Sequence, residues 1–217
     1  MNIVDLDTAF SENINSVKYT DSKKSWKVSD RITIDWKNVL PKPPENNSEE
    51  TRKELEYLQS ITKSLTTRDK NLIDLVDNEP LDLYNGVLKE YNLQMPNSAF
   101  DKIWNIARPI VMNLKYQYNR PRPVQIAERL GFKVNVIETK THQTPAYPSG
   151  HTVYTAMGAY ILSDMYPELS SDFFGKIGEA GLARCLQGVH YPSDNEASMV
   201  ISGAIWQDIR YKLFPDL

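Results

Sequence analysis

The sequence predicts an all-α fold, and three observations carry that expectation. Apolar residues recur at helical intervals over long stretches, as in Leu55, Leu58, Ile61 and Leu65 and again in Ile103, Ile106, Ile110 and Leu114. The longest stretch stops where a helix must stop, ahead of the proline in Asn119-Arg120-Pro121. Alternating runs of the kind a sheet needs are short and few, at Ile32-Thr33-Ile34 and between Lys133 and Glu138.

Each element follows from local signals. Residues 1–35 are polar with scattered apolar positions and read as an irregular arm, with Ile32 to Ile34 as a short strand. Residues 36–217 read as one helical domain, opened by a proline-rich linker from Pro41 to Ser48. Ser48 with Glu50 and Thr51 suits a helix start. Shorter helices are expected over 69–77 and 81–92, and a long one from Asn97 to about Tyr118. Lys115 then sits in the last turn of that helix and Arg122 just beyond it, so both can point into one pocket. A short helix is expected over 123–130, an extended piece from Lys133 to Glu138 and polar turns from Thr139 to Tyr147. Three helices close the chain, over about 149–165, 169–188 and 193–213, and no internal repeat is visible.

A length of 217 residues suits one domain with a substantial core. The net charge of −3 and a pI near 5.7 argue against nucleic acid as a partner. The basic residues of interest are local, as a small anionic ligand requires. A single cysteine, Cys185, forms no internal disulfide and reads as a small packed residue. Met1-Asn2-Ile3-Val4-Asp5-Leu6-Asp7 lacks a basic start and a long apolar stretch, so the expectation is no signal peptide and a cytoplasmic, soluble protein. No stretch approaches the roughly eighteen apolar residues of a membrane span, so no membrane partner is expected; a homo-oligomer stays open.

Three segments carry chemistry. They are Lys115, six residues, then Arg122-Pro123; Pro148-Ser149-Gly150-His151; and Arg184, five residues, His190, three residues, Asp194. Arginine offers a planar fork of donors that matches two phosphate oxygens, and lysine a point charge. Arg122, Arg184 and Lys115 can thus hold three oxygens of a tetrahedral anion. Ser149 adds a hydroxyl, Gly150 lets a backbone N–H come close, and a helix beginning near Ser149 adds free N–H groups. His190, with a carboxylate four positions on, suits a nucleophile whose tautomer is fixed by Asp194. His151 has no carboxylate nearby in sequence and suits a general acid.

Taken singly, each feature has an ordinary reading. Lys115 is a helix-end cation, Arg120-Pro121-Arg122-Pro123 a charged turn, Ser149 an N-cap and Asp194 a first-turn carboxylate. His142 reads as an exposed loop histidine. Trp104, Tyr116, Tyr118 and Trp206 read as core, with the two tyrosines open to facing a leaving group. Asp164 and Glu168 make no metal spacing with the histidines, so no metal site is expected. The coincidence of all three segments, in order, is what favours the functional reading.

The joint pattern resembles the type-2 phosphatidic acid phosphatase superfamily, which includes class A non-specific acid phosphatases and vanadium haloperoxidases. Its signature, K-x6-R-P, P-S-G-H and S-R-x5-H-x3-D, is matched except that Ala183 stands at the third motif's serine. Leu40-Pro41-Lys42-Pro43-Pro44 with Asn47-Ser48, Thr67-Arg68-Asp69 and Tyr147 also resemble the class A acid phosphatases. The resemblance covers roughly 36–217. It implies a helical bundle, a metal-independent hydrolysis of small phosphomonoesters, His190 as phosphohistidine nucleophile, His151 as general acid and Asp194 as the residue orienting His190. Lys115, Arg122, Ser149, Gly150 and Arg184 would bind phosphate. No cofactor is implied. Two other readings are a haloperoxidase, which would hold vanadate on His190, and a catalytically weak phosphate- or nucleotide-binding module, for which Ala183 speaks.

Overall fold

The structure, a computed structural model, describes residues 26–214. Its helices are α1 (Trp36–Val39), α2 (Glu49–Thr62), α3 (Thr67–Asn78), α4 (Asn85–Glu90), α5 (Asn97–Tyr118), α6 (Pro123–Ile126), α7 (Gly150–Met165), α8 (Ser170–Leu186) and α9 (Pro192–Leu213). Short 3₁₀ turns stand at Pro80–Tyr84, Glu128–Leu130, Lys140–Gln143 and Pro167–Leu169. There is no strand among the described residues, and the fold is all-α.

α7 is the centre. It buries residues on all its faces, among them Val153, Ala156, Met157, Ile161 and Leu162, so it can be stable only when surrounded. α5, α8 and α9 pack around it. Gly158 lets the Pro80–Tyr84 turn approach: a Cβ there would sit 2.9 Å from side-chain atoms of Leu81 and Tyr84. α5 spans the expected residues, buries Ile103, Ile106, Ile110 and Leu114, and ends on Asn119 in the left-handed region (φ 49°).

Two local expectations are corrected, and a third segment gains its partners. Ile32 to Ile34 form no strand. The Thr33 N–H and hydroxyl both bond the Asp208 carboxylate on α9, while Ile32 and Ile34 pack on the core, so the alternation reflects a segment laid on a helix. Leu65 lies outside α2, because Thr66 and Asp69 form a capping box that starts α3. Lys133 to Glu138 pairs with no strand. Alternate N–H groups, of Lys133, Asn135 and Ile137, instead bond Gln59, Thr62 and Gln187, which binds the segment to α2 and the end of α8.

The described part of the expected arm is irregular but anchored, since Trp26 exchanges two hydrogen bonds with Asn113 of α5 (3.1 and 2.8 Å). The arm's first 25 positions lie outside the described residues.

Candidate active site

The end of α3, α5 from Trp104 to Lys115, the start of α7 and the joint between α8 and α9 line a cavity of about 410 Å³. Lys115, Arg122, Gly150, His151 and His190 line it, so five of the sequence-chosen residues share one space. Ser149, Arg184 and Asp194 do not line it but are buried.

His190 lies in the joint between α8 and α9. The joint is shaped by Gly188, which has φ +75° and whose Cβ would collide with the Asn135 carbonyl oxygen. Asp194, in the first turn of α9, places Oδ2 2.9 Å from His190 Nδ1. That bond keeps the proton on Nδ1 and leaves the Nε2 lone pair on the opposite side of the ring. Arg122 Nη1 donates to that lone pair at 2.8 Å. The remaining Arg122 donors reach the carbonyls of Val189 and Thr144, each at 2.8 Å, and the Thr144 hydroxyl at 3.3 Å. Burial, followed by Arg122, Lys115, Arg184 and His151, pushes the His190 pKa well below the usual imidazole value. The ring is therefore neutral near pH 7.

Lys115 is buried and donates to the carbonyls of Pro145 (2.8 Å) and Ala146 (3.1 Å), which fixes the chain leading into Pro148-Ser149-Gly150-His151. Burial and then Arg122 lower its pKa, Asp194 raises it and Arg184 lowers it again, with a net fall well below the ordinary lysine value. The cation thus gains from any anion that arrives.

α7 begins at Gly150, and the Ser149 side chain caps no first-turn N–H. Its oxygen instead accepts from Thr152 at 2.9 Å, and its carbonyl accepts from Ser198 at 2.9 Å. Gly150 and His151 of that first turn line the cavity, and a helix start without a side-chain cap favours an anion.

The opposite wall contains a residue that the sequence did not reveal. Asp77, at the end of α3, accepts from Arg184 Nη1 at 2.7 Å and from the Thr139 hydroxyl at 2.9 Å, and lies 4.0 Å from His151 Nε2. His151 therefore has a carboxylate neighbour after all, brought by α3 rather than by sequence proximity. Burial and then Arg184 push its pKa down to about 3, against the opposing pull of Asp77. Burial would raise the Asp77 carboxyl, but the bonds from Arg184 and Thr139 hold it below its ordinary value.

The other side chains singled out in the sequence divide between cavity and core. Trp104 packs against the core and also lines the cavity, in an α5 stripe with Arg108, Val111, Met112 and Lys115, and its ring stands edge-on to Tyr154 at 4.8 Å. Tyr116 and Tyr118 do not line the cavity. Tyr118 packs on Tyr147 at 5.0 Å and donates to the Leu40 carbonyl. Trp206 is core, stacked on Tyr160. His142 bonds the Thr139 carbonyl of its own turn. Cys185 is buried, and burial pushes its thiol up to about 12. Ala183 packs with Val76, Leu83 and Ala180, an apolar contact between α8 and the α3 region. Arg120, read as part of a charged turn, is buried between Glu54 and Asp194. Among the described residues no group of three His, Cys, Asp or Glu side chains is placed to hold a metal ion.

Fold and site together give an all-α chain with a cavity lined by Lys115 and Arg122 beside a carboxylate-supported histidine. Residues 104–214, just over half of the 217, match the family model described as the PAP2 superfamily, and the chain belongs to that superfamily. A non-specific acid phosphatase of Salmonella typhimurium is 34% identical over 68 residues, 31% of this chain and 27% of that protein. One from Providencia stuartii is 33% identical over 69 residues, 31% of this chain and 28% of that protein. The matched region thus spans about a quarter of those relatives' length. Two solved structures share the fold. A transmembrane PAP2-type phosphatidylglycerolphosphate phosphatase from Bacillus subtilis has TM-score 0.52 and 15% identity, covering 79% of this chain and 90% of that one. A bacterial vanadium-dependent iodoperoxidase has TM-score 0.59 and 14% identity, covering 91% and 63%. No helix among the described residues is long and apolar enough to cross a membrane.

Proposed function

We propose that this chain hydrolyses small phosphomonoesters through a covalent phosphohistidine on His190, without a metal ion. The observation that carries the reading is the neutral His190 with Nδ1 fixed by Asp194 and Nε2 held against the Arg122 guanidinium. A phosphate arriving there takes Arg122, Lys115 and the first N–H groups of α7 as its donors. Arg122 thereby leaves the Nε2 lone pair, which attacks phosphorus in line with the leaving oxygen. The P–O bond breaks as the N–P bond forms, and Asp194 stabilises the positive charge that develops on the ring. The reading gains from the similarity to non-specific acid phosphatases.

His151 is assigned the leaving-group proton. With its pKa near 3 it is neutral at pH 7. A phosphate dianion placed beside it raises that value, so His151 becomes a competent acid only with substrate bound. It donates to the leaving oxygen, then as a neutral base takes a proton from the water that attacks the N–P bond. Phosphate departs and both rings return to their starting states.

The proposal is tested by p-nitrophenyl phosphate turnover combined with detection of a phosphorylated histidine after an alkaline denaturing quench, which preserves the N–P bond. Turnover that persists in EDTA and is inhibited by orthovanadate is the expected result. Vanadate becomes five-coordinate and on His190 resembles the transition state. Loss of activity on chelation, or iodide oxidation after vanadate loading with no phosphate release, overturns the reading.

A further inference from the structure

Behind His190 stands a chain of buried ions that the scheme above leaves without a task. Asp194 divides its oxygens. Oδ2 accepts from His190 Nδ1 (2.9 Å) and from the Tyr191 N–H (3.0 Å), while Oδ1 accepts from Arg120 Nη1 at 2.7 Å. Arg120 continues the chain: Nη1 also reaches Ser193 Oγ and Nη2 reaches Glu54 Oε2, each at 2.7 Å. Its guanidinium lies 3.8 Å over the Tyr191 ring. Glu54 then returns to the same helix start, where its Oε1 accepts from the Ser193 N–H at 2.7 Å. Three links of this chain, from Glu54, Arg120 and Asp194, therefore hold the first turn of α9 from two sides.

Burying such a chain is costly, and a set of apolar side chains would fill the same space more cheaply. The arrangement makes sense through what Asp194 would do alone. A lone buried carboxylate against an imidazole favours the protonated ring, which has no lone pair for attack. Arg120 takes the second oxygen and offsets that charge. Glu54 limits how far it does so, since it shares the guanidinium. We propose that Arg120 and Glu54 are positioning residues that act through Asp194 to set both the orientation and the proton state of His190. The proposal rests on His190 being the nucleophile. The other charged and titratable groups around His190 are Arg122, Lys115, Arg184 and His151, and they stay the same when the chain behind Asp194 is altered.

The test uses two full-length variants with opposite expected effects. Arg120→Met removes the cation at similar length. It should lower kcat by about ten- to a hundredfold with little change in KM, and move the acid limb of kcat/KM up by about one pH unit. The His190 Nδ1 proton resonance should move downfield, because Asp194 becomes the stronger acceptor. Glu54→Gln keeps the size and an oxygen for Ser193 but removes the charge. Arg120 then draws more on Asp194, and the same resonance should move upfield. A residue that only stabilises the fold would not give shifts of opposite sign. Shifts of the same sign, or an unmoved resonance and acid limb in both, overturn the proposal. If Arg120→Met does not fold, Glu54→Gln decides alone, and an unmoved resonance overturns it. The result is separable from the underlying reading: turnover surviving in His190→Ala refutes the nucleophile, whereas the resonance still reports the chain behind it.

Discussion

The two histidines of the cavity are held in contrasting ways. His190 is 2% exposed and has strong partners on both ring nitrogens, Asp194 at 2.9 Å and Arg122 at 2.8 Å. His151 is 16% exposed by side chain, and its nearest carboxylate, on Asp77, is 4.0 Å away. The first is fixed before any ligand arrives, and the second is loosely held and sensitive to charge. This division suits the proposed roles. A nucleophile is effective when its geometry is set in advance. An acid with a pKa near 3 is effective only if the substrate itself moves that value.

The largest effect should come from breaking the fixed side. His190→Ala is expected to remove turnover by at least about 10⁴-fold, since no other residue is assigned the covalent step. Initial rates on p-nitrophenyl phosphate check this, and a loss below tenfold would mean that another group attacks.

Asp194→Asn comes next. It keeps the shape but can present the wrong hydrogen-bond partner to Nδ1, and a drop in kcat of about 10³- to 10⁴-fold is expected. It also leaves the buried Arg120 without one of its two counter-charges. Breaking a buried pair costs roughly 3–5 kcal/mol, or on the order of 10 °C in midpoint for a chain of this size. Calorimetry separates this second effect from the kinetic one.

The responsive side should break in a substrate-dependent manner. His151→Gln is expected to cost about 10²- to 10⁴-fold on an alkyl phosphate, whose leaving oxygen needs a proton, and much less on p-nitrophenyl phosphate. Equal losses on both would remove His151 as the acid. The same variant sharpens the comparison through stability. The folded-state value near 3 lies below the unfolded value of about 6.5, so unfolding takes up a proton between them. That contribution is full above about pH 7 and is lost as pH falls from 6.5 towards 3. The fall in thermal midpoint from about pH 7.5 to 5 should therefore be smaller in His151→Gln. It should not vanish, because His190 is displaced in the same direction.

The smallest effect is expected at the rim. Trp104→Ala removes a cavity-lining ring but none of the assigned donors. It should raise KM severalfold for phosphate esters with a bulky alcohol and change kcat little. A large fall in kcat would place Trp104 nearer the chemistry than its lining position indicates.

The sequence by itself determined the helices and the near side of the site. The α5 boundaries follow from apolar spacing and from Asn119 and Pro121, and they put Lys115 and Arg122 at one end of the helix. The pairing of His190 with Asp194 follows from four-residue spacing across a helix start. These signals are local, because helical periodicity and capping act within a few residues. Only the tertiary structure decided the far side. Asp77 meets Arg184 across 107 residues and Glu54 meets Arg120 across 66. A carboxylate on a helix surface has the same local signature whether it faces water or a buried guanidinium, so Asp77 and Glu54 left no mark in the sequence. Arg120 read as part of a charged turn for the same reason. What buries it is the approach of Glu54 on α2 and of Ser193 and Asp194 on the first turn of α9, partners that only long-range packing brings to the residue after α5.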